Sequence, residues 1–485
     1  MSAESRVTQA GTAGARRMVL PLVLAQFIAS YAGTNMNVAI STIAEDIGTS
    51  VRGMQTTITL FTLTMASLMI TGSKLTDIWG RKVCFLAGLI IYGSGAILAA
   101  AAQGVGLMVV GYSLLEGVGS ALMIPPIYIL ITVAFTDTRS RARYFGAVSG
   151  AAGLGAAAGP LIGGLITSSI SWRASFGFQI LVVAVIIVLA RGIADPPRTG
   201  PAPSFDVLGA VLSAAGLFFI VLGILQSSTY GWLKSREDFT IGGTVVIPAG
   251  GLSPVWVFVA IGAAILLWFF WHIRSREASG REPLIPIRLF HNRTSNLGLT
   301  TQTIQWLIMQ GSFFVISVFL QQIRGYNAIQ TGLMLTPATI GILAASAAAP
   351  RQARRRTQRW LIRAGFIVTT IGMVVFLALV RDDSSIASFV PGLLLMGAGL
   401  GVMLTSSVNV VQSSFPEPDQ ADISGLSRSV SNLGSSLGTA LAGSILVAAS
   451  RPGGRPFAVS LTVLVVISLI GLVAALLLPR QPPSG

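Results

Sequence analysis

The chain has 485 residues, of which 53% are hydrophobic and only 10% are charged. A soluble protein of this size carries roughly 25% charged residues, so the composition excludes an ordinary soluble globular fold. The formal net charge of +15 also raises the question of nucleic-acid binding, which the positions of the charges answer.

Apolar runs of about 20 residues, long enough to cross a bilayer, recur along the whole chain. The Arg16-Arg17 pair precedes the first run and indicates a cytoplasmic anchor before an uncleaved first helix. The runs predict fourteen spanning helices, at 18–41, 54–73, 83–103, 106–132, 144–167, 174–193, 205–226, 253–273, 296–321, 328–349, 360–380, 386–413, 422–448 and 456–478.

These predicted helices divide as six, two and six. Residues 1–195 predict an N-terminal six-helix bundle and residues 293–485 a C-terminal six-helix bundle. Residues 196–292 predict two inserted helices, 7 and 8, with a cytoplasmic linker and an exterior loop whose alternating run FTIGGTVVI favours a β-hairpin. The predicted class is an all-α polytopic membrane protein with two bundles around a central path, as in many secondary transporters.

The basic residues follow the predicted sidedness. With the N-terminus inside, 23 of the 32 Lys and Arg residues fall on the cytoplasmic side, eight outside, and Arg428 within a helix. This positive-inside pattern accounts for the charge without a nucleic-acid partner. It predicts an integral plasma (cell inner) membrane protein with both termini cytoplasmic. The basic run RQARRRTQR (351–359) is expected to attract anionic lipid headgroups.

The stretch GSKLTDIWGRK, from residue 72, concentrates charge where the second predicted helix ends. Asp77 can pair with Arg81 at the membrane surface, and Gly80 permits a tight reversal before Arg81 and Lys82. These four residues predict a cytoplasmic gate that holds one conformation and can break. The alternative is an ordinary topology anchor formed by the basic residues alone.

The fifth predicted helix contains GAAAGPLIGG, a run of small residues at helix-packing spacing. Its proline lacks a backbone donor and bends the helix, while its glycines let another helix approach closely. The alternative is generic helix packing. The motif residues are Gly155, Gly159, Pro160, Gly163 and Gly164.

Both motifs resemble signatures of the major facilitator superfamily. The loop is similar to Gly-x-Leu-x-Asp-x-x-Gly-Arg-Lys, with Ser73 in place of the first glycine, and the helix looks like the antiporter motif Gly-x-x-x-Gly-Pro-x-x-Gly-Gly. SWRASF (171–176) and the serine-rich thirteenth helix also fit the fourteen-helix drug:proton antiporter family. The resemblance covers nearly the whole chain and implies alternating access, with the loop acting as an inter-helix lock.

The chain departs from that family at its proton-coupling positions. Ala32 stands where the family carries an Asp, and Ser113 and Glu116 replace an Arg and a Gln. Glu116 is the one carboxylate predicted well inside a helix, where an ionised group costs roughly 2.5 kcal/mol or more. We therefore predict Glu116 as a proton-binding or cation-recognition residue. The alternative is a permanently protonated acid that only hydrogen-bonds a neighbouring helix.

The remaining cavity is predicted to be neutral and polar. Its candidate residues are Gln26, Tyr31, Asn35, Tyr112, Gln302, Gln305, Trp306, Asn409, Gln412 and Asn432. Each can equally join two helices. Together, amides and aromatic rings without several charges favour an amphipathic or lipid-like substrate.

The sequence thus predicts a proton-coupled exporter (antiporter) of amphipathic drugs or other hydrophobic compounds, with multidrug efflux and antibiotic resistance as its consequence. The alternative is an exporter of lipids or an endogenous metabolite with weak or no proton coupling, because the family's Asp and Arg are absent. No enzyme is expected, since one intramembrane Glu without His cannot assemble a catalytic cluster. We expect no metal and no cofactor, protons and membrane lipids as partners, and a monomer.

Overall fold

The computed structural model describes residues 3–135, 138–193, 204–241, 244–353, 356–416, 419–448 and 455–479. Its α-helices are Ala3–Asn35 (α1), Ile40–Asp46 (α2), Val51–Trp79 (α3), Arg81–Ala100 (α4), Val105–Met108 (α5), Gly117–Ala134 (α6), Thr138–Ser169 (α7), Trp172–Ala190 (α8), Val207–Tyr230 (α9), Pro254–Ala278 (α10), Arg293–Gln322 (α11), Ala328–Met334 (α12), Thr336–Ala353 (α13), Gln358–Leu379 (α14), Phe389–Gln412 (α15), Gln420–Ala448 (α16) and Arg455–Leu477 (α17). A π-helical segment, Val109–Glu116, joins α5 to α6. The short 3₁₀ segments are Met36–Val38, Ile287–His291 and Ile386–Ser388.

Twelve helical segments among the described residues are long and apolar enough to cross a membrane. The pair α12 and α13, bent by 43°, makes a thirteenth if it is one span. The predicted count of fourteen is therefore not confirmed by length and apolarity. The difference lies in α16, which has 29 residues but a serine-rich sequence.

The polarity of α16 follows from its surroundings. This helix packs against α3, α9 and α11, so its serines meet protein rather than lipid. Ser429 donates to the Ala66 carbonyl at 2.5 Å and Ser436 donates to the Thr59 carbonyl at 3.2 Å. Neighbouring helices can accept hydrogen bonds from these hydroxyl groups, whereas hydrocarbon cannot. A helix enclosed in this way can therefore lie within a membrane although its sequence is not very apolar.

The helices form a first group, α1 to α8, and a second group, α11 to α17. Within the first group α1 packs on α7, and α4 on α6 and α8; within the second, α15 packs on α13 and α14, and α11 on α17. The groups meet along two seams. One seam is α3 against α16, and the other is α7 against α12 and α13.

The pair α9 and α10 pack on each other, and α9 also packs on α3 and α16. They therefore lie beside the first seam. The strands Phe239–Ile241 (β1) and Thr244–Ile247 (β2) follow α9 and pair antiparallel, which confirms the predicted hairpin. Its turn, 242–243, lies outside the described residues.

The SWRASF segment ties the start of α8 to the end of α2. Ser171 caps α8 by accepting from the Arg173 amide, and the side chains of Trp172 and Arg173 both donate to Asp46, at 3.1 and 2.5 Å. Hydrogen bonds from Arg173 and then Trp172 hold the pKa of Asp46 below its ordinary value. The motif therefore fixes a loop at one end of the first group.

The Asp206 carboxylate connects the start of α9 with the last part of α10. Its carboxylate caps α9 through the Gly209 amide at 3.0 Å, meets His272 Nε2 at 2.9 Å and accepts from the Leu284 amide at 3.2 Å. Arg276 lies 3.8 Å away. Burial pushes the pKa of Asp206 upward, but hydrogen bonds from His272 and Gly209 and the charges of His272 and Arg276 outweigh it, so the pKa is lowered. One side chain thus joins two helices and the linker.

We expect Asp206→Ala to lower the free energy of unfolding of the detergent-solubilised protein by about 1–3 kcal/mol, because a buried cap and its partners lose their acceptor. Since the folded pKa lies below the unfolded value of about 3.9, the carboxylate contributes fully above that pH and loses its contribution as pH falls through the folded pKa. Thermal unfolding between neutral and acidic pH measures this. Asp238→Ala removes an exposed loop acceptor and is the control. An equal loss of unfolding free energy in both variants would contradict the stabilising role of Asp206.

Candidate functional site

A cavity of about 50 Å³ lies between the two helix groups. Its walls are Gln26, Ala29, Ser30, Gly33, Thr34, Phe61, Thr62, Met65, Ile124 and Ala156 of the first group, and Trp306, Gln310, Arg428, Ser431, Asn432 and Ser435 of the second. This volume holds an ordered water or two, whereas pockets for drug-sized ligands measure about 300–1,000 Å³. In this structure the cavity is therefore too small for a drug-sized ligand.

The cavity is closed at the end where α1 begins, which we call the terminal side. Lys74 of α3 and Asp422 of α16 form an ion pair at 3.0 Å there, and both side chains are largely buried. One turn further in, a Cβ on Gly425 would lie 3.1 Å from Ser73 Cβ, so the two helices nearly touch. The terminal side is thus sealed along the α3–α16 seam.

The opposite side is closed by amides. Gln321 of the second group accepts from the Ser41 amide at 3.0 Å and donates to the Asn37 carbonyl at 2.9 Å. Gln55 at the start of α3 donates to the Ala440 carbonyl of α16 at 3.2 Å. Each contact joins one helix group to the other. The two ends of the cavity are therefore held by separate sets of polar contacts.

A chain of three polar side chains, two of which line the cavity, joins the two groups. Tyr128 of α6 donates to Gln26 Oε1 at 3.2 Å and accepts a hydrogen bond from Arg428 of α16. The Arg428 guanidinium also lies over the Tyr128 ring, 5.0 Å from its centroid. Arg428 was predicted within a helix but not at the site. Its isolation as a charged residue in a predicted span was the signal that could have placed it there.

Glu116 lies at the end of the π-helical segment and is fully buried. Its backbone packs against Gly95, and Tyr92 is the polar side chain that faces it. Neither carboxyl oxygen has a well-formed hydrogen bond to the described residues. Phe61, which lines the cavity, stacks at 4.6 Å on Tyr112, one turn before Glu116.

Glu116 therefore does not line the cavity in this conformation, and its role in proton binding stays a prediction. Periodicity could not settle this point. The helix is enclosed on several sides, so apolar spacing does not reveal which face meets the cavity. The π-helical turn also changes the angular positions of the side chains that follow.

Of the predicted cavity residues in the first group, Gln26 lines the cavity and three others do not. Tyr31 bonds Ser175 at 3.3 Å, and Tyr112 donates to the Ala32 carbonyl at 3.0 Å. Asn35 is buried where α1 approaches α7 at Gly163. These side chains join helices within their own group.

In the second group, Trp306 and Asn432 line the cavity, as predicted. Gln302 instead donates to Ser431 at 2.8 Å, and Gln305 pairs with Ser407 at 2.7 Å. The last two candidates lie on α15 away from the cavity: Asn409 is exposed and Gln412 donates to Ser424 at 3.4 Å. Gln310 lines the cavity although it was not predicted.

The predicted gate residues shape the turn between α3 and α4. Gly80 adopts φ 101°, which a side chain would disfavour, and Lys82 donates to the Arg191 carbonyl at 2.9 Å. Asp77 lies on the last turn of α3 and Arg81 begins α4. Their role as a gate stays a prediction. The structure adds the ion pair of Lys74 with Asp422, which joins the two groups directly.

The glycine motif of α7 permits close contact with two neighbouring helices, as predicted. A Cβ on Gly155 would overlap the Phe27 carbonyl of α1, and one on Gly159 would overlap the Thr34 hydroxyl. Gly163 meets Asn35, whereas Gly164 meets the Ala328 carbonyl of α12 in the second group. Pro160 lies within the same contact, opposite Gly332 of α12. The motif therefore reaches the second seam between the groups.

A larger cavity of about 520 Å³ lies outside the central path. Phe319, Phe376 and Phe457 line it inside the second group, with Arg381 and Arg455 at its rim. This cavity lies within the second group rather than between the two groups, so it is not part of the central cavity.

Comparison with known proteins agrees with this architecture. The family profile described as "Major Facilitator Superfamily" matches residues 22–254, 239–439 and 299–485. The chain is 28% identical to the tetracenomycin C resistance and export protein of Streptomyces glaucescens, over 87% of this chain and 73% of that protein. It is 26% identical to the probable actinorhodin transporter of Streptomyces coelicolor, over 85% and 69%. It is 24% identical to the multidrug resistance protein Stp of Mycobacterium tuberculosis, over 85% and 72%.

The fold is also that of a solved structure. The crystal structure of the human organic anion transporter MFSD10 (TETRAN) superposes with a TM-score of 0.59, covering 95% of this chain and 99% of that one. The identity is 14%, so the likeness concerns the fold alone. Together with the apolar helices, the matches establish an integral multi-pass membrane protein with the helical architecture of a transporter.

We expect Gly155→Ala to lower the thermal unfolding midpoint, because the added methyl group forces α1 and α7 apart. Gly153→Ala on the same helix is the matched control, since its Cβ would meet nothing within 4 Å. Both changes gain about 0.5–1 kcal/mol of helix propensity. The control should therefore unfold at or above the wild-type temperature. Equal midpoints for the two variants would show that α1 and α7 do not approach this closely.

We expect Asp422→Asn to loosen the terminal-side closure, because Lys74 loses its ionic partner. A Ser431→Cys reporter in the cavity wall, in a chain whose single cysteine Cys84 is replaced by serine, should then react severalfold faster with a membrane-impermeant maleimide from the terminal side. The charge swap Lys74→Asp with Asp422→Lys should restore slow labelling. If neither change alters the labelling rate, contacts other than this ion pair close the terminal side.

Proposed function

The chain belongs to the major facilitator superfamily, and we propose that it is a proton-coupled exporter (antiporter) that moves amphipathic drugs or other hydrophobic compounds by alternating access. One observation carries this proposal: the central cavity is closed at each end by a different set of polar contacts. Separate closures let one end open while the other holds. The names of the relatives, which include drug and antibiotic resistance and export proteins, support the direction and the kind of substrate.

We further propose fourteen spanning helices, with α16 as the one that the apolarity test omits. Its contacts with α3, α9 and α11 support this, because a helix inside the bundle needs little apolar surface. Residues 1–195, 196–292 and 293–485 then act as two six-helix halves and an inserted pair. The terminal side is cytoplasmic in this proposal, since the basic loops lie there.

Glu116 is the proposed proton-binding residue. An ionised carboxylate is costly without a cation or several donors, so the buried site holds the neutral acid at low cost. π-Helical turns such as the one that ends at Glu116 occur frequently at functional sites. Movement of Phe61 and Tyr112 as the halves separate would admit water and release the proton.

The coupling cycle follows from these parts. Release of the proton to the cytoplasm precedes substrate entry, and the halves then rock until the contacts of Lys74 with Asp422 reform behind the substrate. Protonation of Glu116 from outside favours substrate release. The predicted gate residues Asp77 and Arg81 assist the cytoplasmic closure in this scheme.

A second candidate is an exporter of lipids or an endogenous metabolite with weak or no proton coupling. The position of Glu116 behind Phe61 and Tyr112 favours it, because a proton there need not compete with a substrate in the cavity. The two candidates differ in their response to an imposed pH gradient.

We expect the reconstituted protein to concentrate the uncharged fluorophore N-phenylnaphthylamine about tenfold for a gradient of about one pH unit at one proton per substrate. Glu116→Gln should abolish this accumulation and leave exchange without a gradient intact, because its side chain cannot release a proton. Glu282→Gln, on the exposed linker, is the matched control.

Full accumulation by Glu116→Gln would remove this residue from the coupling scheme. If transport by the wild-type chain does not depend on the pH gradient, the second candidate is favoured. Counterflow without a gradient verifies that each variant is folded and inserted.

A further inference from the structure

We infer that Arg428 is the anion-binding residue of the central cavity, so that the exported compounds carry a carboxylate, sulfonate or similar oxyanion. This inference names a substrate class and rests on the proposed export function. It differs from the sequence-based expectation of a neutral cavity or a cation bound by Glu116.

The charge balance of the cavity is the first support. Among its sixteen lining residues Arg428 is the one with a formal charge; the others supply amides, hydroxyl groups, aromatic rings and apolar groups. Glu116 is not among them. A charge acts over longer distances in a low-dielectric interior than in water, so the cavity repels cations and attracts anions.

The hydrogen bonding of Arg428 is the second support. A guanidinium has five N–H donors, yet among the described residues Arg428 donates a hydrogen bond only to the Tyr128 hydroxyl. No carboxylate of the described residues forms an ion pair with it. A cation within a membrane is costly unless it is paired, and the planar guanidinium fits a carboxylate or sulfonate through two parallel bonds.

Tyr128 indicates how an anion would bind. Its neutral oxygen occupies one guanidinium donor, and Gln26 holds the phenol in place at 3.2 Å. A charged oxygen forms a hydrogen bond roughly twice as strong as a neutral one, so an oxyanion can displace the phenol. Because Tyr128 belongs to the first group and Arg428 to the second, this exchange removes a contact between the groups.

The rest of the wall defines the other end of the ligand. Trp306, Phe61 and Met65 supply apolar and aromatic surface, while Gln310 and Asn432 supply amides. Arg428 lies two turns along α16 from the Asp422 closure, at the terminal-side end of the cavity. The site thus suits an amphipathic molecule whose anionic group points to the terminal side and whose apolar body points inward.

The competing explanation is that Arg428 only ties α6 to α16 through Tyr128. The two explanations predict opposite effects of Tyr128→Phe, which removes the acceptor and keeps the ring. If Arg428 binds anions, the variant frees a donor and keeps or raises anion affinity. If Arg428 is a structural tie, the variant resembles the loss of Arg428.

Equilibrium dialysis of the full chain in detergent tests the inference with two probes of the same ring, a naphthalenesulfonate and a naphthyltrimethylammonium. We expect the wild type to prefer the sulfonate. Arg428→Gln should weaken sulfonate binding by about tenfold to a hundredfold and leave the ammonium unchanged or tighter. Arg428→Lys should give an intermediate loss, and Arg281→Gln, on the exposed linker, should change neither.

A wild-type preference for the ammonium overturns the inference without any variant. Equal loss of both probes in Arg428→Gln, or loss of sulfonate affinity in Tyr128→Phe, assigns Arg428 to structure instead. Failure of the proposed export function looks different: the sulfonate then binds through Arg428, but reconstituted protein moves no probe across the membrane. Gradient-driven transport of the uncharged fluorophore without sulfonate binding would leave the function standing and remove the anion site.

Discussion

The seam between α3 and α16 is the interaction on which the rest of the structure depends. Polar side chains cross it at the terminal side, in the middle and at the opposite side, through Lys74, Ser429 and Gln55 in turn. Hydrocarbon offers no water to satisfy such groups, so they need partners within the protein. Each bond is worth only about 0.6 kcal/mol on average in a membrane. The seam therefore joins the two groups through several individually weak contacts.

Two ionisable side chains lie on segments that pack at this seam: Arg428, half-buried on α16, and Glu116, fully buried beside α3. Arg428 lies at its centre, where a phenol from the first group occupies one of its donors. Glu116 does not line the cavity and lies in a π-helical turn with no ionic partner among the described residues. Each of these groups is costly in an apolar interior when it is ionised and not fully paired. In the proposed scheme Arg428 binds the substrate and Glu116 couples its export to protons.

Much of the fold followed from the sequence, because long apolar runs, turn glycines and small-residue spacing are local signals. The hairpin and the close contacts of Gly155 and Gly159 were predicted in this way and are present. What failed depends on neighbours distant in the chain. The predicted gate was confined to the turn between α3 and α4, yet Asp422 of α16 is the ionic partner of Lys74. For Glu116, an enclosed helix has no amphipathic face to show where its polar residues point.

Distances across the two ends of the molecule test the account most directly. With Cys84 replaced, spin labels at exposed positions 79 and 360 report the terminal side, and labels at 170 and 386 report the opposite side. Alternating access around a closed cavity predicts that one pair lengthens only in molecules where the other pair stays short, with both short in the occluded state. Simultaneous lengthening of both pairs in one population would contradict it, as would distances that no pH change or added compound can alter.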